Sequence, residues 1–297
     1  MLTPPYRGRF APSPTGPLHF GSLVAALASY LEAKSRAGQW LVRIDDLDQT
    51  RCVPGMDNHI LHTLELLGFA WDGKITYQHA MTPLYQEALQ KLRRSGHTYV
   101  CRCSRRQVRQ HARLGIEGPV YPDTCRELGL RESAHDAIRL KTDEQPISFH
   151  DALFGLQTQR LHTDIGDFLI RRADGYFAYQ LAVVVDDAQA GITHVVRGSD
   201  LLASTARQVY LQRLLGLPQP AYLHIPLVLG EDGKKLSKSD AAHPVDTANP
   251  VVPLFAAWHF LGQVRAETTD MSLEAFWSWA ASHWDPERMK QGTERRR

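Results

Sequence analysis

Two short segments constrain the fold most, because they lie more than 200 residues apart and each carries groups that suit phosphate. The first, Pro12–Ser22, reads PSPTGPLHFGS and runs directly into a stretch whose apolar residues recur at helical spacing. The second, Lys234–Ser239, reads KKLSKS and follows an apolar run and the turn Glu231–Gly233. Together they predict a site for a nucleoside triphosphate.

The first segment predicts an anion site at the start of a helix. Ser22 is the expected N-cap of that helix, and Gly38 is its expected stop. A turn that opens a helix presents unpaired N–H groups and the positive end of the helix dipole, and His19 adds a side-chain donor. The lysines of the second segment supply positive charge on a loop, and such a loop can close on phosphates.

The composition is typical of a globular protein without disulfides. The chain has 297 residues, and 43% of them are hydrophobic, which is enough for one large domain or two modest ones. We expect a cytoplasmic protein without a membrane partner, because we find neither a signal-peptide core nor a run of ~20 apolar residues. The net charge of +2 indicates no general preference for nucleic acid. One region nevertheless offers a local basic face, formed by Arg93, Arg94, Arg102, Arg105, Arg106, Arg109 and Arg113.

The order of elements predicts an α/β fold. Expected strands are Trp40–Ile44, Ala137–Leu140, Phe168–Arg171, Tyr176–Val185 and His194–Arg197, and expected helices lie around Asp57–Leu67, Pro83–Arg94 and Leu201–Leu215. The run Leu181–Val185 is typical of a strand buried on both faces, preceded by a turn at Ala173–Gly175. From Pro250 onward the pattern is helical. Such alternation implies a parallel sheet covered by helices, with the ligand beyond the carboxyl ends of the strands.

Three of the four cysteines, Cys101, Cys103 and Cys125, fall within one short stretch that interrupts this alternation. Clustered thiols in a reducing compartment favour a metal over a disulfide, and zinc takes four ligands. Residue type alone favours His111 as the fourth ligand, but four side chains stay open: Tyr121, Asp123, His111 and His97. Cys52 stands apart, and a buried apolar thiol is its expected state.

The two segments together resemble the signature sequences of class I aminoacyl-tRNA synthetases, with His19–Ser22 in the place of HIGH and Lys235–Ser239 in the place of KMSKS. Further stretches are similar to the glutamyl-tRNA synthetase catalytic domain: RFAPSPTG from Arg9, VRIDDLD from Val42, YQLAVVVDD from Tyr179 and HVVRGSDL from His194. The resemblance runs from about Arg7 to about Ala241. It implies a Rossmann-type parallel sheet that binds L-glutamate and ATP with Mg²⁺.

The resemblance also implies roles for individual residues. ATP would be bound by His19, Gly21, Ser22 and Lys238, and charge on its phosphates would be neutralised by the catalytic residues His19, Lys235 and Lys238. Glutamate would be bound by Arg9, Phe10, Ala11, Pro12, Ser13, Asp45, Tyr179 and Arg197. The family usually has Glu at the position of Asp45, and the shorter side chain is expected to shift its contact with the substrate ammonium or pass it through water.

One shorter branch of this family resembles the chain more specifically. The glutamyl-queuosine tRNA(Asp) synthetases carry Cys-x-Cys, a spacer and Tyr-x-x-x-Cys, which here implies one structural Zn²⁺ on Cys101, Cys103, Tyr121 and Cys125. Only about 55 residues follow the second segment, so an anticodon-reading domain is not expected. The branch activates glutamate without tRNA and esterifies the queuosine base in the anticodon loop of tRNA(Asp).

The same resemblance implies four consecutive parts in a monomer. Residues 1–98 would form the first half of the catalytic domain and residues 99–135 an inserted zinc-binding module. Residues 136–241 would complete the catalytic domain with the KLSKS loop, and residues 242–297 would form a short helical C-terminal region.

Three other functions stay open on the sequence. The chain is also compatible with a minimal enzyme that charges the 3′ end of tRNA(Glu). A non-catalytic tRNA-binding relative is less compatible, because it would not need both phosphate-handling segments. Another nucleotidyl-transferring α/β enzyme would leave Arg9, Tyr179 and Arg197 without a common purpose.

Overall fold

The computed structural model describes residues 5–229 and 243–289. Its strands are β1 (Arg7–Phe10), β2 (Gln39–Ile44), β3 (Thr76–Tyr77), β4 (Thr98–Cys101), β5 (Leu114–Gly115), β6 (Gly118–Pro119), β7 (Ala137–Leu140), β8 (Pro146–Asp151), β9 (Gly155–Arg160), β10 (Phe168–Arg171), β11 (His194–Gly198) and β12 (Ala221–Ile225). Its helices are α1 (Phe20–Lys34), α2 (Met56–Leu66), α3 (Thr82–Arg94), α4 (Arg105–His111), α5 (Leu161–Asp164), α6 (Tyr179–Gln189), α7 (Thr205–Leu215), α8 (Val251–Phe260) and α9 (Leu273–His283).

Parallel strands form the centre of the molecule. β1, β2 and β3 pair in parallel, and so do β11, β12 and β8, with Arg197 opposite His224 in the register of β11 and β12. The two groups meet at β1 and β11, where the Thr193 N–H donates to the Arg7 carbonyl at 2.9 Å. The predicted parallel sheet is therefore confirmed.

Helix α1 links this sheet to the C-terminal helices. One side of α1 packs on β1, β2 and β11, and the other side packs on α8 and α9. The residues that fill this core include Leu27, Trp40, Trp258 and Phe276, all of them inaccessible to solvent. The expected helical pattern after Pro250 is thus confirmed as α8 and α9. None of the helices in the described part of the chain is long and apolar enough to cross a membrane.

The strands β4, β7 and β10 form a separate antiparallel sheet. Ala137–Leu140 and Phe168–Arg171 are strands as predicted, but they do not belong to the parallel sheet. Parallel neighbours need a long crossover, usually a helix, and the one helix described between β7 and β10 is the four-residue α5, which follows the strands β8 and β9. Because Cys101 ends β4, this small sheet leads directly into the cysteine-bearing stretch.

The run Leu181–Val185 is helical, so its assignment as a strand was wrong. It lies in α6, where every residue from Leu181 to Asp187 is buried. A helix that is buried on all sides has no polar face, and a short apolar run cannot be assigned by periodicity alone. The predicted turn before it is present, since the Arg172 N–H donates to the Tyr176 carbonyl at 2.8 Å.

Helix α1 begins before the predicted position. Its first residue is Phe20 and its N-cap is His19, whose Nδ1 accepts a hydrogen bond from the Ser22 N–H at 3.3 Å. Ser22 therefore lies inside the helix, and its assignment as the N-cap was wrong. The helix ends at Lys34, before Gly38, and a Cβ at Gly38 would lie only 2.7 Å from the backbone oxygen of Tyr6.

Candidate active site

A cavity of about 400 Å³ opens at the carboxyl ends of β1, β11 and β12. Its lining includes residues 10–13 at the end of β1, His19, Gly21 and Ser22 at the start of α1, Gly198 and Asp200 at the end of β11, and residues 225–228 at the end of β12. Ligands of open parallel sheets bind at this edge. The structure thus brings together residues 10–13, predicted to bind glutamate, and three of the residues predicted to bind ATP.

The start of α1 is shaped around the His19 ring. The Nε2 atom of His19 lies 3.0 Å from the Ser22 hydroxyl, while Nδ1 caps the helix. A Cβ on Gly21 would lie 3.2 Å from Cε1 of His19, closer than ordinary van der Waals contact. Glycine at this position therefore lets the ring lie against the backbone, beside N–H groups at the positive end of the helix dipole.

The chain on either side of residues 230–242 also lies at His19. Val228 lines the cavity, and on the far side Pro244 pairs with His19 while the Val245 N–H donates to the Leu18 carbonyl at 2.9 Å. Lys235 and Lys238 lie outside the described residues. The described residues on both sides of this segment, Val228 and Pro244, nevertheless lie at the cavity or at His19, which lines it.

Arg9 is buried in an ion pair behind the cavity. Its Nε lies 3.2 Å from both carboxylate oxygens of Asp187, a residue of α6. Asp187 also accepts from Nη1 of Arg43 at 2.6 Å. Burial raises the pKa of Asp187, but Arg9 and Arg43 outweigh burial and hold that pKa below its ordinary value. The charge of Arg9 is thus already balanced by a carboxylate of the protein.

Asp45 also belongs to this network. Its Oδ1 accepts from Nε of Arg43 at 2.7 Å, and its other oxygen makes no hydrogen bond within the described residues. Burial raises the pKa of Asp45, although Arg43 opposes this. The neighbouring Asp186 accepts from the Tyr85 hydroxyl at 2.6 Å and from the Gln78 amide at 2.8 Å. Nε of Arg43 also lies 3.7 Å from Asp186, so this one guanidinium faces three carboxylates.

Arg197 has a different environment. It is 6% exposed, and its Nε donates to Nε2 of His224 at 3.0 Å. Its Nη2 donates to the Thr205 hydroxyl at 2.9 Å and to the Gln208 amide oxygen at 2.8 Å. Within the described residues, Nη1 has no hydrogen-bond partner and no carboxylate forms an ion pair with Arg197. This guanidinium is a buried cation held only by neutral groups.

Tyr179 begins α6 and is 36% exposed. Its neighbour Gln180 accepts from Gln208 at 2.9 Å, and Gln208 in turn accepts from Arg197. The start of α6 is therefore tied to the Arg197 guanidinium. Two predicted glutamate-binding side chains, Tyr179 and Arg197, are linked in this way through residues that the sequence analysis did not select.

Six acidic or basic groups at this site were not among the predicted site residues. They are Arg43, Asp151, Asp186, Asp187, Asp200 and His224. Two of them carried a signal in the sequence, because Asp187 closes the apolar run of α6 and His224 interrupts the apolar run of β12. A polar side chain inside a buried run needs a partner, so such positions are candidates for site residues.

The cysteine cluster is formed by the predicted residues. The sulfurs of Cys101, Cys103 and Cys125 all lie within 4.8 Å of one another. The Tyr121 hydroxyl lies 3.4 Å from the Cys101 sulfur and 3.5 Å from that of Cys103, and the sulfurs of Cys103 and Cys125 are 3.5 Å apart. In a tetrahedral zinc site with metal–sulfur bonds of ~2.3 Å, neighbouring sulfurs lie about 3.8 Å apart. The four donors therefore fit one zinc ion.

A buried arginine supports this reading of the cluster. Nε of Arg139 lies 3.2 Å from the Cys101 sulfur, and its guanidinium lies 3.6 Å from the centre of the Tyr121 ring. Such a cation stabilises ionised sulfur and oxygen ligands. The other residue types considered lie elsewhere: His111 is exposed at the end of α4, and Asp123 groups with His162 and Asp167.

Comparison with known protein families agrees with this geometry. The family described as tRNA synthetases class I (E and Q), catalytic domain, matches residues 6–250. A glutamate tRNA ligase of Elizabethkingia meningosepticum has a similar structure, with a TM-score of 0.78 and 26% identity over 96% of this chain and 66% of that chain. A methionyl-tRNA synthetase of Mycobacterium tuberculosis shares the fold alone, with a TM-score of 0.55 and 12% identity. The fold and the site are those of a class I tRNA synthetase catalytic domain.

Relatives over the full length define the branch. The Glutamyl-Q tRNA(Asp) synthetase of Neisseria gonorrhoeae is 47% identical over 287 residues, covering 96% of this chain and 97% of the relative. Proteins of the same name from Aromatoleum aromaticum and Pseudomonas aeruginosa are 50% and 49% identical, over 95% and 97% of this chain and 89% and 96% of the relatives. The chain belongs to the class I tRNA synthetase family and, within it, to the glutamyl-Q tRNA(Asp) synthetases.

Proposed function

We propose that the protein activates L-glutamate with ATP in the absence of tRNA and transfers the glutamyl group to the queuosine base of tRNA(Asp). The acceptor is supported by the name that the relatives share at 47% to 50% identity. The amino acid is supported by the chemistry of the site. The observation that carries it is the environment of the Arg197 guanidinium.

A buried cation without a counter-ion is costly, so an anionic ligand is its natural complement. Arg197 presents one free nitrogen, Nη1, and has no carboxylate partner within the described residues. The side-chain carboxylate of glutamate supplies the missing charge and accepts a charge-assisted hydrogen bond. Glutamine would supply no charge, so the same site discriminates against the amide.

Arg9 and Asp45 complete the binding of glutamate from the other side of the site. Arg9 is held by Asp187, which fixes its position and lets residues 10–13 line the cavity as backbone. The free oxygen of Asp45 is the acceptor for the substrate ammonium, because Arg43 occupies only the other oxygen. The shorter Asp side chain leaves this contact longer than Glu would, or bridged by water.

ATP binds with Mg²⁺ at the start of α1. His19 and the N–H groups after it hold the phosphates, and Lys238 with Lys235 neutralises the charge of the departing pyrophosphate. The α-carboxylate of glutamate is ionised at neutral pH and attacks the α-phosphorus of ATP directly. The phosphorus–oxygen bond to pyrophosphate breaks as the glutamyl-adenylate forms, so no base is needed for this step.

The second step is an acyl transfer. A hydroxyl of the queuosine cyclopentenediol attacks the carbonyl carbon of the glutamyl-adenylate. The bond from that carbon to the phosphate oxygen breaks, AMP leaves, and the hydroxyl proton passes to solvent or to AMP. The product is an ester of glutamate on the modified base.

A structural zinc belongs to the proposal as well. Cys101, Cys103, Tyr121 and Cys125 are its ligands, and Arg139 balances their charge. Zinc at such a site contributes folding energy to the surrounding loops and takes no part in the chemistry.

The first test is ATP–pyrophosphate exchange with each amino acid in the absence of tRNA. We expect exchange with L-glutamate alone. The second test offers labelled glutamate and ATP with tRNA(Asp) from cells that contain or lack queuosine. Label is expected only on the queuosine-containing tRNA. Label that survives on tRNA lacking queuosine would contradict the proposed acceptor and favour charging of a 3′ end.

A further inference from the structure

Three buried groups form a hydrogen-bonded row across neighbouring strands. Asp151 ends β8, His224 lies in β12, and Arg197 lies opposite His224 in β11. Oδ2 of Asp151 lies 2.7 Å from Nδ1 of His224, and Nε2 of His224 accepts from Nε of Arg197 at 3.0 Å. Asp151 and His224 are both 0% exposed. The row therefore runs from a buried carboxylate through an imidazole to the guanidinium proposed to bind glutamate.

The partners of the ring fix its tautomer. Asp151 is an acceptor, so Nδ1 of His224 carries the proton and donates. Arg197 can only donate, so Nε2 must keep its lone pair. Burial lowers the pKa of His224, and although Asp151 opposes this, the net shift keeps the ring neutral near neutral pH. A protonated ring, or the other tautomer, would place two donors against each other.

Asp151 is itself held rigidly. Besides the ring, its carboxylate accepts from the N–H groups of His224 at 3.0 Å, Leu153 at 3.0 Å and Phe154 at 2.9 Å. Burial raises the pKa of Asp151, but the hydrogen bonds from His224 and from these backbone groups outweigh burial, so the net pKa is lowered. The row is anchored at its far end by an ionised carboxylate.

We propose that Asp151 and His224 are positioning residues for glutamate recognition, which fix one neutral imidazole tautomer so that Arg197 is held by Nε and presents Nη1 to the substrate carboxylate. This inference rests on the proposed function, because it assumes that Arg197 receives glutamate. Thr205 and Gln208 of α7 hold Nη2 from the other side, which leaves Nη1 as the nitrogen without a partner among the residues that the structure describes.

A neutral ring between the two charges has a physical advantage. A carboxylate in direct contact with Arg197 would fix the side chain but would also cancel its charge, as Asp187 does for Arg9. An imidazole fixes the same side chain and leaves the charge for the ligand. The carboxylate of Asp151 lies on the far side of the His224 ring and still stabilises the buried Arg197 cation electrostatically.

Two substitutions at one position test the row. His224→Asn keeps an amide that can reach Asp151 but is too short to accept from Arg197. His224→Gln is longer and keeps an acceptor near Nε of Arg197. In pyrophosphate exchange we expect H224N to raise KM for glutamate by about 10- to 100-fold, the cost of losing a hydrogen bond to a charged group. KM for ATP should change by less than about twofold, and H224Q should recover most of the loss.

The tautomer gives a measurement on the unaltered protein. In ¹⁵N–¹H spectra that report on histidine rings, we expect His224 to be neutral with its proton on Nδ1 near pH 7.5. Asp151→Asn should move the proton to Nε2, because the amide can donate to Nδ1, and should raise KM for glutamate as H224N does. The spectrum of the wild-type protein tests the tautomer even if a variant fails to fold.

Three results would overturn the inference. They are an Nε2–H tautomer or an imidazolium in the wild-type spectrum, an unchanged KM for glutamate in folded H224N and D151N, or equal increases in KM for glutamate and ATP. Failure of the proposed function gives a different result, since the wild-type protein would then show no glutamate-dependent exchange at all.

Discussion

Arg9 and Arg197 are both buried arginines of the proposed glutamate site, but they differ in their counter-ions. Arg9 shares Asp187 with Arg43, whereas the described hydrogen-bond partners of Arg197 are all neutral. Without Arg9, the single guanidinium of Arg43 faces the buried carboxylates of Asp45, Asp186 and Asp187, which leaves buried negative charge uncompensated. We therefore expect Arg9→Gln to lower the free energy of unfolding by about 3 kcal/mol. Arg197→Gln removes a buried cation that forms no ion pair within the described residues, and the variant should stay within about 1 kcal/mol of wild type.

Urea denaturation of the two variants without ligands measures this difference. Glutamate should then raise the unfolding temperature of the wild-type protein but not that of R197Q, because a ligand stabilises only the protein that binds it. A loss of stability in R197Q as large as that in R9Q would show that the charge of Arg197 is compensated within the protein.

Asp186 makes the free energy of unfolding depend on pH. Burial raises the pKa of Asp186 from 3.8 to about 6, against the opposing influence of Arg43, Tyr85 and Gln78. The folded state thus binds the proton more tightly than the unfolded chain. The stability from this group is fully present below the unfolded value of 3.8 and is lost as pH rises through about 6. The loss amounts to about 3 kcal/mol at most.

Asp186→Asn removes this titration while keeping an oxygen for Tyr85. The stability of D186N relative to wild type should therefore rise between about pH 4 and about pH 7. Urea denaturation at several pH values in this window measures the difference. A constant difference across the window would mean that Asp186 stays ionised throughout.

The residues of the site were predictable to different degrees. His19, Arg9 and Arg197 lie in stretches that resemble known signature sequences, so the sequence selected them directly as candidates. Asp151 and His224 are 73 residues apart and meet only because β8 and β12 are neighbours in the sheet. A contact that depends on strand order cannot be read from local sequence patterns.

A glycine with left-handed backbone follows each of the helices α2 and α3, and the two glycines differ in the side chains around them. Gly68 follows α2 with φ +79°, and Gly96 follows α3 with φ +72°. A Cβ at Gly68 would lie 2.6 Å from the indole nitrogen of Trp277, whereas the space around Gly96 is open. Gly96→Ala should cost about 1 kcal/mol for the left-handed backbone alone. Gly68→Ala should cost about 2 kcal/mol more, because α9 must also shift.

Thermal or urea unfolding of the two alanine variants compares them under identical conditions. The Trp277 indole donates to the Leu67 carbonyl at 3.1 Å, so its fluorescence should change in G68A and not in G96A. Equal losses of stability would mean that α9 moves away from α2 without cost.

Elements with a polar face were easier to predict than buried ones. Helix α3 ends where its sequence predicts, since its buried residues Tyr85, Leu89 and Leu92 alternate with charged ones. Helix α6 is buried along most of its length, so its apolar run carries no period and was taken for a strand. Its helical state follows from packing against α3 and α7, which is tertiary information.

The part of the chain that the structure describes has two large hydrophobic cores and one small one. The first surrounds α1 and the C-terminal helices, and the second surrounds α3, α6 and α7. The third is formed only by Cys101, Tyr121 and Cys125, with a few half-buried neighbours. A core of this size cannot offset the conformational entropy of the loops around it, so the cysteine-bearing part should depend on the proposed zinc.

Metal removal should therefore act locally. A strong chelator is expected to increase amide hydrogen exchange in residues 102–131 and leave exchange in α1, α6 and α7 unchanged. Cys125→Ser should abolish bound zinc, as measured by elemental analysis. Cys52→Ser is the matched control and should retain it, because Cys52 lies outside the cluster.

The boundary of this local effect depends on the antiparallel sheet. Cys101 belongs to β4, and Arg139 of the adjacent β7 contacts both its sulfur and the Tyr121 ring. If β4 stays paired with β7 through the second core, unfolding stops at Cys101 and glutamate-dependent exchange persists in the chelated protein. Loss of that exchange together with increased amide exchange in α6 would contradict this expectation. The zinc cluster and the glutamate site would then belong to one cooperative unit, joined through β7.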